Sequence, residues 1–275
     1  MTSPNIGDHA AAYYMDNALG PKTYDPIYGP HNSPANAFYL DCANKFGGPL
    51  LEVGCGTGLV TWTLADGGHQ VVGIDISEPM LAVARSKGTG KSAEVQGQVD
   101  FRIAAMETFE LSQTFRTAII PGRSFQHLLT PEKQRAALTC IHRHLTEDGT
   151  LVMNLFDPKL DYCMPQSESP AKLEEAVDPV SGMKVRRHFL ARTTDPLTQT
   201  FTEHMRLEVF DAQGSLVSQG ETQWSLRWTY AQEMRHLFEL TGFRVEALYG
   251  DYEFGPPCYA QEQIWICRKG PPGRT

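Results

Sequence analysis

Short apolar runs alternate with helix-like stretches through the middle of the chain. The apolar runs are rich in Val, Ile and Leu and end at turn-forming residues, a pattern typical of buried strands. The predicted strands are Leu50–Gly54, Gln70–Asp75, Val99–Ala104, Thr117–Ile120 and Thr150–Leu155. Predicted helices begin at Gly58, at Ser77 and at Thr130, the last running to about Leu145 and ended by Asp148-Gly149. This alternation predicts an α/β fold with a parallel sheet and right-handed crossovers.

The C-terminal part follows a different pattern. Residues 158–182 contain prolines and scattered acids, which indicate a loop or linker. Extended runs separated by turns predict an inserted antiparallel meander: Met183–Arg192, Gln199–Phe210 and Leu216–Trp228. The remaining predicted elements are a helix from Thr229, its N-cap in a capping box with Gln232, to Leu240, and strands near Arg244–Tyr249 and Gln263–Arg268.

A glycine-rich turn follows the first predicted strand. Glu52 ends the strand, and glycines then stand at alternate positions, Gly54, Gly56 and Gly58. Such a turn lets a ligand approach the backbone closely, and the next helix start offers unpaired N–H groups. Asp75, about 20 residues on, stands at the second strand end, where an acid holds ribose hydroxyls. Dinucleotide binding is disfavoured, because the third glycine falls one position early and Glu52 would face an anionic pyrophosphate.

These two motifs resemble those of class I S-adenosylmethionine (SAM)-dependent methyltransferases. The resemblance implies a Rossmann-like fold whose seven-stranded, mostly parallel sheet carries the inserted antiparallel meander. It also implies SAM as cofactor, S-adenosylhomocysteine (SAH) as product and no metal, with Glu52 holding the SAM ammonium directly or through water. The implied cofactor contacts are Tyr24, Glu52, Gly54, Cys55, Gly56, Gly58, Asp75, Ile76, Met80, Ala105, Met106 and Pro121. Ala105 departs from the family, many members of which have an acid there.

The loop after the fourth predicted strand supplies the catalytic candidates. Its Ser124-x-x-His127-Leu128 pattern resembles that of antibiotic-sugar N-methyltransferases, in which the histidine faces the amine. His127 is therefore the first catalytic candidate and Tyr28 the second, although His127 could instead hydrogen-bond the N-terminal segment. Arg123 is the third, binding an acidic substrate group or pairing with a local carboxylate.

Three positions outside these motifs carry weaker expectations. Trp224 and Trp228 alternate with polar residues on the last run of the meander, and we expect core packing, with a pocket wall as the alternative. Asp251, followed by Tyr252 and Glu253, comes after a predicted strand end, and this run is expected in a solvated turn, with a substrate contact as the alternative.

The chain divides into five predicted parts. A tyrosine-rich N-terminal segment, residues 1–46, resembles the lid of small-molecule methyltransferases, with a statically docked arm as the alternative. The SAM-binding core is 47–157, the insertion 158–228, and the completing helix and hairpin 229–269; residues 270–275 are expected to be disordered. The insertion could cap a substrate pocket or form a homodimer contact.

Composition narrows the function classes. The net charge of −8 and the absence of a basic cluster interleaved with aromatic residues argue against nucleic-acid binding. The six cysteines form no C-x-x-C pair, which favours buried reduced thiols over disulfides or zinc. No signal peptide or membrane-length apolar run is present, so we expect a cytoplasmic protein without a membrane partner.

The sequence thus predicts a SAM-dependent methyltransferase that acts on a small molecule. An amine nitrogen is favoured as acceptor because of the His127 loop, and catalysis is expected to come mainly from positioning. Small-molecule O-methylation is the alternative. Two further alternatives are a non-catalytic SAM-binding protein, which glycine motifs cannot distinguish from an enzyme, and the disfavoured nicotinamide-dependent oxidoreductase.

Overall fold

A computed structural model describes residues 12–15, 19–29, 33–164, 172–179 and 181–271. Residues 1–11 of the predicted lid, Pro165 and Pro170 of the predicted linker and residues 272–275 of the predicted tail lie outside these ranges.

Seven strands form the central sheet. They are β1 (Leu50–Val53), β2 (Val71–Asp75), β3 (Val99–Ile103), β4 (Phe115–Ile120), β5 (Leu145–Phe156), β10 (Phe243–Tyr249) and β11 (Glu262–Lys269). Their order is β10-β11-β5-β4-β1-β2-β3. Strands β1 to β5 are mutually parallel, and β11 is antiparallel to both β5 and β10. The predicted seven-stranded, mostly parallel α/β fold is confirmed.

Helices precede, separate and follow these strands. They are α1 (Ala12–Met15), α2 (Gly20–Tyr28), α3 (Pro34–Phe46), α4 (Leu59–Asp66), α5 (Glu78–Gly88), α6 (Ala93–Gln96), α7 (Pro131–His144), α8 (Leu160–Cys163) and α9 (Ala231–Leu240). Two predicted N-caps are present: Ser77 Oγ accepts from Met80 N at 3.2 Å, and Thr130 Oγ1 accepts from Lys133 N at 3.3 Å. Among the described residues, no helix is both long and apolar enough to cross a membrane.

Apolar side chains cover both faces of the central sheet. Because successive strand residues point to opposite faces, Leu51 and Val53 pack with helices α7 and α9, whereas Leu50 packs with α3 and α4. A parallel sheet buried in this way leaves its strand ends as the exposed edge on which side chains from different strands can meet.

A separate antiparallel sheet forms the insertion. Its strands are β6 (Lys172–Val177), β7 (Lys184–Asp195), β8 (Thr200–Phe210) and β9 (Leu216–Arg227), in the order β6-β7-β8-β9. Three of these strands were expected. The interpretation of 158–182 as a loop is wrong, since α8 and β6 lie within it. Strand β6 is an edge strand with mostly exposed or half-buried side chains, so its sequence lacks a buried face.

Two predicted details of helix ends are also wrong. Helix α7 ends at His144, next to the predicted end at about Leu145, but Asp148-Gly149 does not end it, since β5 begins at Leu145, which is extended, pairs with Phe115 and is buried. Helix α9 has Tyr230 at its N-cap, without a side-chain cap. The hydroxyl of Thr229 instead accepts from Arg227 Nη1 at 3.2 Å and from Gln134 Nε2 at 3.4 Å.

A buried arginine connects the insertion to helices of the core. Arg227, the last residue of β9, donates from Nη1 to Gln134 Oε1 of α7 at 2.9 Å and from Nη2 to Glu233 Oε1 of α9 at 2.6 Å. Its carbonyl accepts from Gln126 Nε2, beside His127. The end of the insertion is therefore fixed to the core by charged and polar contacts.

We expect Arg227→Ala to lower the free energy of unfolding by about 2–4 kcal/mol, which is below the cost for a fully buried pair because Glu233 is one-third exposed. Urea denaturation measures this change. Arg244→Ala is the matched control, since Arg244 is largely exposed and should change stability by about 0.5 kcal/mol or less. Equal effects of the two substitutions would contradict a structural role for Arg227.

Candidate functional site

The glycine turn lies at the carboxyl edge of the sheet, between β1 and α4. Gly54, Gly56 and Gly58 have φ values of 74°, 54° and 75°, a region that other residues rarely adopt. A Cβ built at Gly54 would lie 2.7 Å from the Cβ of Ser124, in the loop after β4. Glycine at position 54 therefore lets these two loops approach each other.

The carboxylate of Asp75 orders this turn. Its Oδ2 accepts from Gly56 N at 2.7 Å, and its Oδ1 accepts from Ser77 N at 2.8 Å. Burial raises the pKa of Asp75, while the backbone hydrogen bonds lower it. Each carboxylate oxygen can accept more than one hydrogen bond, so Asp75 retains capacity for hydroxyl donors.

Glu52 is buried at the end of β1. Its Oε2 accepts from Thr61 Oγ1 at 2.5 Å, and no salt bridge among the described residues includes it. Burial raises the pKa of Glu52 to about 8, with the Thr61 hydrogen bond opposing the shift. A buried carboxylate without a basic partner favours a cationic ligand.

The other predicted cofactor contacts lie around the turn and differ in how far they are buried. Ile76 is 55% exposed beside Asp75, whereas Met80 is buried, its Cε 3.3 Å from a Cβ built at Gly56. Met106 packs against the core and lies 3.7 Å from a Cβ built at Gly54. Ala105 is half-buried, and Cys55 and Pro121 are buried.

His127 is held between the insertion and the N-terminal segment. Its Nδ1 lies 3.0 Å from the Ser225 carbonyl oxygen, and its Nε2 lies 3.0 Å from the Tyr14 hydroxyl. Because a carbonyl only accepts, Nδ1 carries the proton and Nε2 accepts from Tyr14. Burial lowers the pKa of His127 to about 4, with the Ser225 hydrogen bond opposing the shift. The imidazole is therefore neutral at physiological pH.

Tyr28 and Tyr24 continue this aromatic cluster along α2. The rings of Tyr24 and Tyr28 are 4.6 Å apart, and the rings of Tyr24 and Tyr14 are 6.2 Å apart. The Tyr28 hydroxyl accepts from Arg187 Nη1 of β7 at 2.7 Å. Tyr28 thus contacts the insertion, and Tyr14, which the sequence analysis missed, contacts His127. Only the general tyrosine enrichment of this segment pointed to Tyr14.

Arg123 forms an ion pair with Glu262 at the start of β11. Glu262 also accepts from Asn154 Nδ2 at 2.9 Å, so both partners are held at the ends of core strands. The Arg123 guanidinium carbon lies 5.7 Å from the centre of the Phe156 ring. This arrangement matches the expected alternative of a local carboxylate partner.

A cavity of about 370 Å³ lies between the core strand ends and the insertion. Its aromatic lining consists of Phe156, Tyr162, Phe201 and Trp224. Its charged lining consists of Arg123, Asp157, Lys159, Glu203, Asp251 and Glu262. The Trp224 ring is 6.1 Å from the His127 ring, so the cavity adjoins the catalytic candidates.

This lining revises two expectations. Trp224 is a cavity wall rather than only core, whereas Trp228 is buried as expected. Asp251 accepts from Glu253 N and Gly255 N in a turn, as expected, yet it also lines the cavity. The sequence analysis missed Asp157, although its place directly after a core strand was a usable signal.

Comparisons with known proteins agree with this geometry. Residues 50–149 match a family model described as a methyltransferase domain. A protein of Geobacillus sp. (strain WCH70), named as a methyltransferase, is 36% identical over 153 residues, which are 56% of this chain and 58% of that protein. This chain therefore spans less than two thirds of that relative.

Solved structures share the fold over nearly the whole chain. The CcbJ methyltransferase from Streptomyces caelestis has a TM-score of 0.73 at 21% identity, covering 94% of this chain and 98% of that one. The sugar N-methyltransferase KedS8 from Streptoalloteichus sp. has a TM-score of 0.67 at 18% identity, covering 98% of both. The chain thus shares the fold of these methyltransferases, and the resemblance to class I SAM-dependent methyltransferases, carried by residues 50–149, is confirmed.

Metal ligands and thiols add little to this site. Within the described ranges, no group of three or more His, Cys, Asp and Glu side chains could hold a metal ion. The cysteines are free thiols, all buried except the exposed Cys258.

We expect His127 to remain neutral until the pH falls to about 4, whereas an unperturbed histidine titrates near 6.5. The stability contributed by this neutral imidazole is present above pH 6.5 and is lost as the pH falls toward 4, since the unfolded state binds the proton first. Imidazole NMR, assigned with His127→Asn, measures the titration. A midpoint near 6.5 would contradict the burial of this ring.

Proposed function

We propose that this protein transfers a methyl group from SAM to an amine nitrogen of a small molecule. The observation that carries the proposal is the position of the ordered glycine turn, which meets the His127 loop beside an aromatic and charged cavity. The sugar N-methyltransferase named above, which shares the fold, supports a nitrogen acceptor.

The residues of the turn fit the cofactor. Side-chain-free positions 54, 56 and 58 leave the backbone accessible, and Asp75 has acceptor capacity for ribose hydroxyls. The buried Glu52 lacks a basic partner among the described residues and burial raises its pKa to about 8, so a bound SAM ammonium would favour its ionised form. Ile76 and Met106 would provide the apolar surface for the adenine.

Catalysis is proposed to come mainly from positioning. SAM supplies, when bound, a methyl group already activated by its sulfonium. The protein must exclude water and orient the acceptor lone pair at near-attack distance. Neutral His127 orients the Tyr14 hydroxyl, whose oxygen can accept a hydrogen bond from an amine N–H.

The protonation state of His127 favours nitrogen over oxygen. An amine needs only to lose its ammonium proton before it presents a lone pair, whereas an alcohol or phenol needs a general base in the reaction. With its pKa near 4 and both ring nitrogens hydrogen-bonded, His127 is too weak a base to deprotonate an alcohol or phenol, whereas an amine can lose its ammonium proton to solvent before it binds. Small-molecule O-methylation is the less supported alternative.

The outer parts of the chain are proposed to complete the site. Residues 1–46 close over the cofactor, supported by the Tyr14–His127 contact and by Ser77 Oγ donating to the Tyr14 carbonyl at 2.6 Å. Residues 158–228 cap the acceptor, supported by the cavity lining from β8 and β9. A homodimer contact through the insertion, a cytoplasmic location and the absence of a nucleic-acid partner remain predictions.

The protein is expected to bind SAM and SAH but not NAD. Asp75→Ala should weaken SAH binding by about 1.5–3 kcal/mol, because it removes charge-assisted hydrogen bonds to the turn and the ribose. Calorimetry measures the dissociation constant. Asp100→Ala is the control, since Asp100 lies on neighbouring β3, is about half exposed and pairs with Arg102. Tight NAD binding without SAM binding would overturn the proposed cofactor.

His127→Ala is expected to lower kcat by about 100-fold or less, the range of one acid–base contribution, and Tyr28→Phe by less. A fall in turnover with unchanged SAH affinity would place each side chain at the acceptor rather than at the cofactor. Steady-state kinetics with candidate amines measures turnover from pH 6 to 9. Wild-type turnover in both single variants and the double variant would contradict their roles and direct attention to Arg123 and Tyr252.

A further inference from the structure

Three segments meet at the carboxylate of Asp25. Its Oδ1 accepts from Thr57 Oγ1 of the glycine turn at 2.5 Å, and its Oδ2 forms an ion pair with Lys87 Nζ near the end of α5. Lys87 Nζ also donates to the Thr57 carbonyl at 2.8 Å. The three residues therefore form a closed triangle between α2, the turn and α5.

The side chains of this triangle are less exposed to water than those of the Arg85–Glu78 pair on α5. The side chains of Lys87 and Asp25 are 18% and 29% exposed, and Thr57 is buried. The Arg85–Glu78 pair has 43% and 55% exposed side chains. Partial burial strengthens the Asp25 contacts relative to surface pairs.

Helix α2 extends from the triangle across the mouth of the turn. The residue before Asp25 is Tyr24, whose hydroxyl oxygen lies 3.6 Å from a Cβ built at Gly122, in the loop after β4. The side chains of these two adjacent residues of α2 thus reach the glycine turn on one side and the loop after β4 on the other. A ligand seated on the glycine turn would lie beneath the helix.

We infer that Asp25 is the positioning residue that holds α2 across the cofactor site, so that its contacts with Thr57 and Lys87 must break before the cofactor leaves. The inference rests on the proposed binding of SAM at this turn. It assigns Asp25 a role in cofactor release rather than in the chemistry of methyl transfer.

The test measures the release of radiolabelled SAH from the full chain after a chase with excess unlabelled SAH. Asp25→Asn should speed release about tenfold, since the amide cannot pair with the ammonium and a charge-assisted hydrogen bond is worth about that factor. Lys87→Met should act similarly, and the double variant should add little to either single change because the two residues share one contact. Association should change less than release, since the open form already admits SAH.

Matched variants separate this role from general destabilisation. Thr57→Val should speed release, whereas Thr57→Ser, which keeps the hydroxyl, should restore the wild-type rate. Arg85→Met on the same helix should leave release unchanged. Hydrogen exchange of residues 19–29 in the SAH complex should increase in Asp25→Asn but not in Arg85→Met.

The outcomes distinguish the two hypotheses. Wild-type release rates in Asp25→Asn and Lys87→Met, with SAH still bound, would overturn the role of Asp25 and leave the proposed cofactor intact. Failure of the wild-type protein to bind SAH would overturn the proposed cofactor and, with it, the role of Asp25. A fall in melting temperature with unchanged release would show that Asp25 is only structural.

Discussion

The hydrogen bond from His127 Nδ1 to the Ser225 carbonyl joins the loop after β4 of the core to strand β9 of the insertion. It fixes the protonation state of the imidazole, and this leaves Nε2 as the acceptor for the Tyr14 hydroxyl. One neutral ring thus connects the core loop, the insertion and the N-terminal segment. Burial makes the arrangement self-consistent, because a charged imidazole there would lose solvation without a carboxylate partner in these two contacts.

Two buried ionisable side chains, Arg227 and Glu52, differ in whether they have an ion-pair partner among the described residues. Arg227 is paired with Glu233 and surrounded by polar acceptors, so its charge serves the junction between insertion and core. Glu52 accepts one hydroxyl hydrogen bond and has no salt bridge among the described residues. Burial raises the pKa of Glu52 to about 8, so a cation bound beside it, as proposed, would be needed to favour its ionised form.

The sequence was most informative where local pattern and ligand chemistry coincide. The strand ends at Glu52 and Asp75 and the three glycines follow from short-range patterns, so the core and its turn were predictable. Helix α2 was not, since its nine residues include Gly20, Pro21 and Pro26, which favour turns over helix in a sequence-based prediction. The contact of Tyr14 with His127 joins residues 113 positions apart, and no periodicity reports such a distance.

The cavity between the core and the insertion likewise depends on residues that are far apart in the sequence. Phe156, Phe201 and Trp224 come from β5, β8 and β9, so the cavity exists only after the insertion has docked on the core. Its shape therefore depends on the junction at Arg227, which lies one residue after the cavity-lining Leu226. If the cavity receives the acceptor, as proposed, substitutions at that junction can change acceptor recognition without touching the acceptor, because misplacing a positioned group by about 1 Å is costly when catalysis depends on alignment.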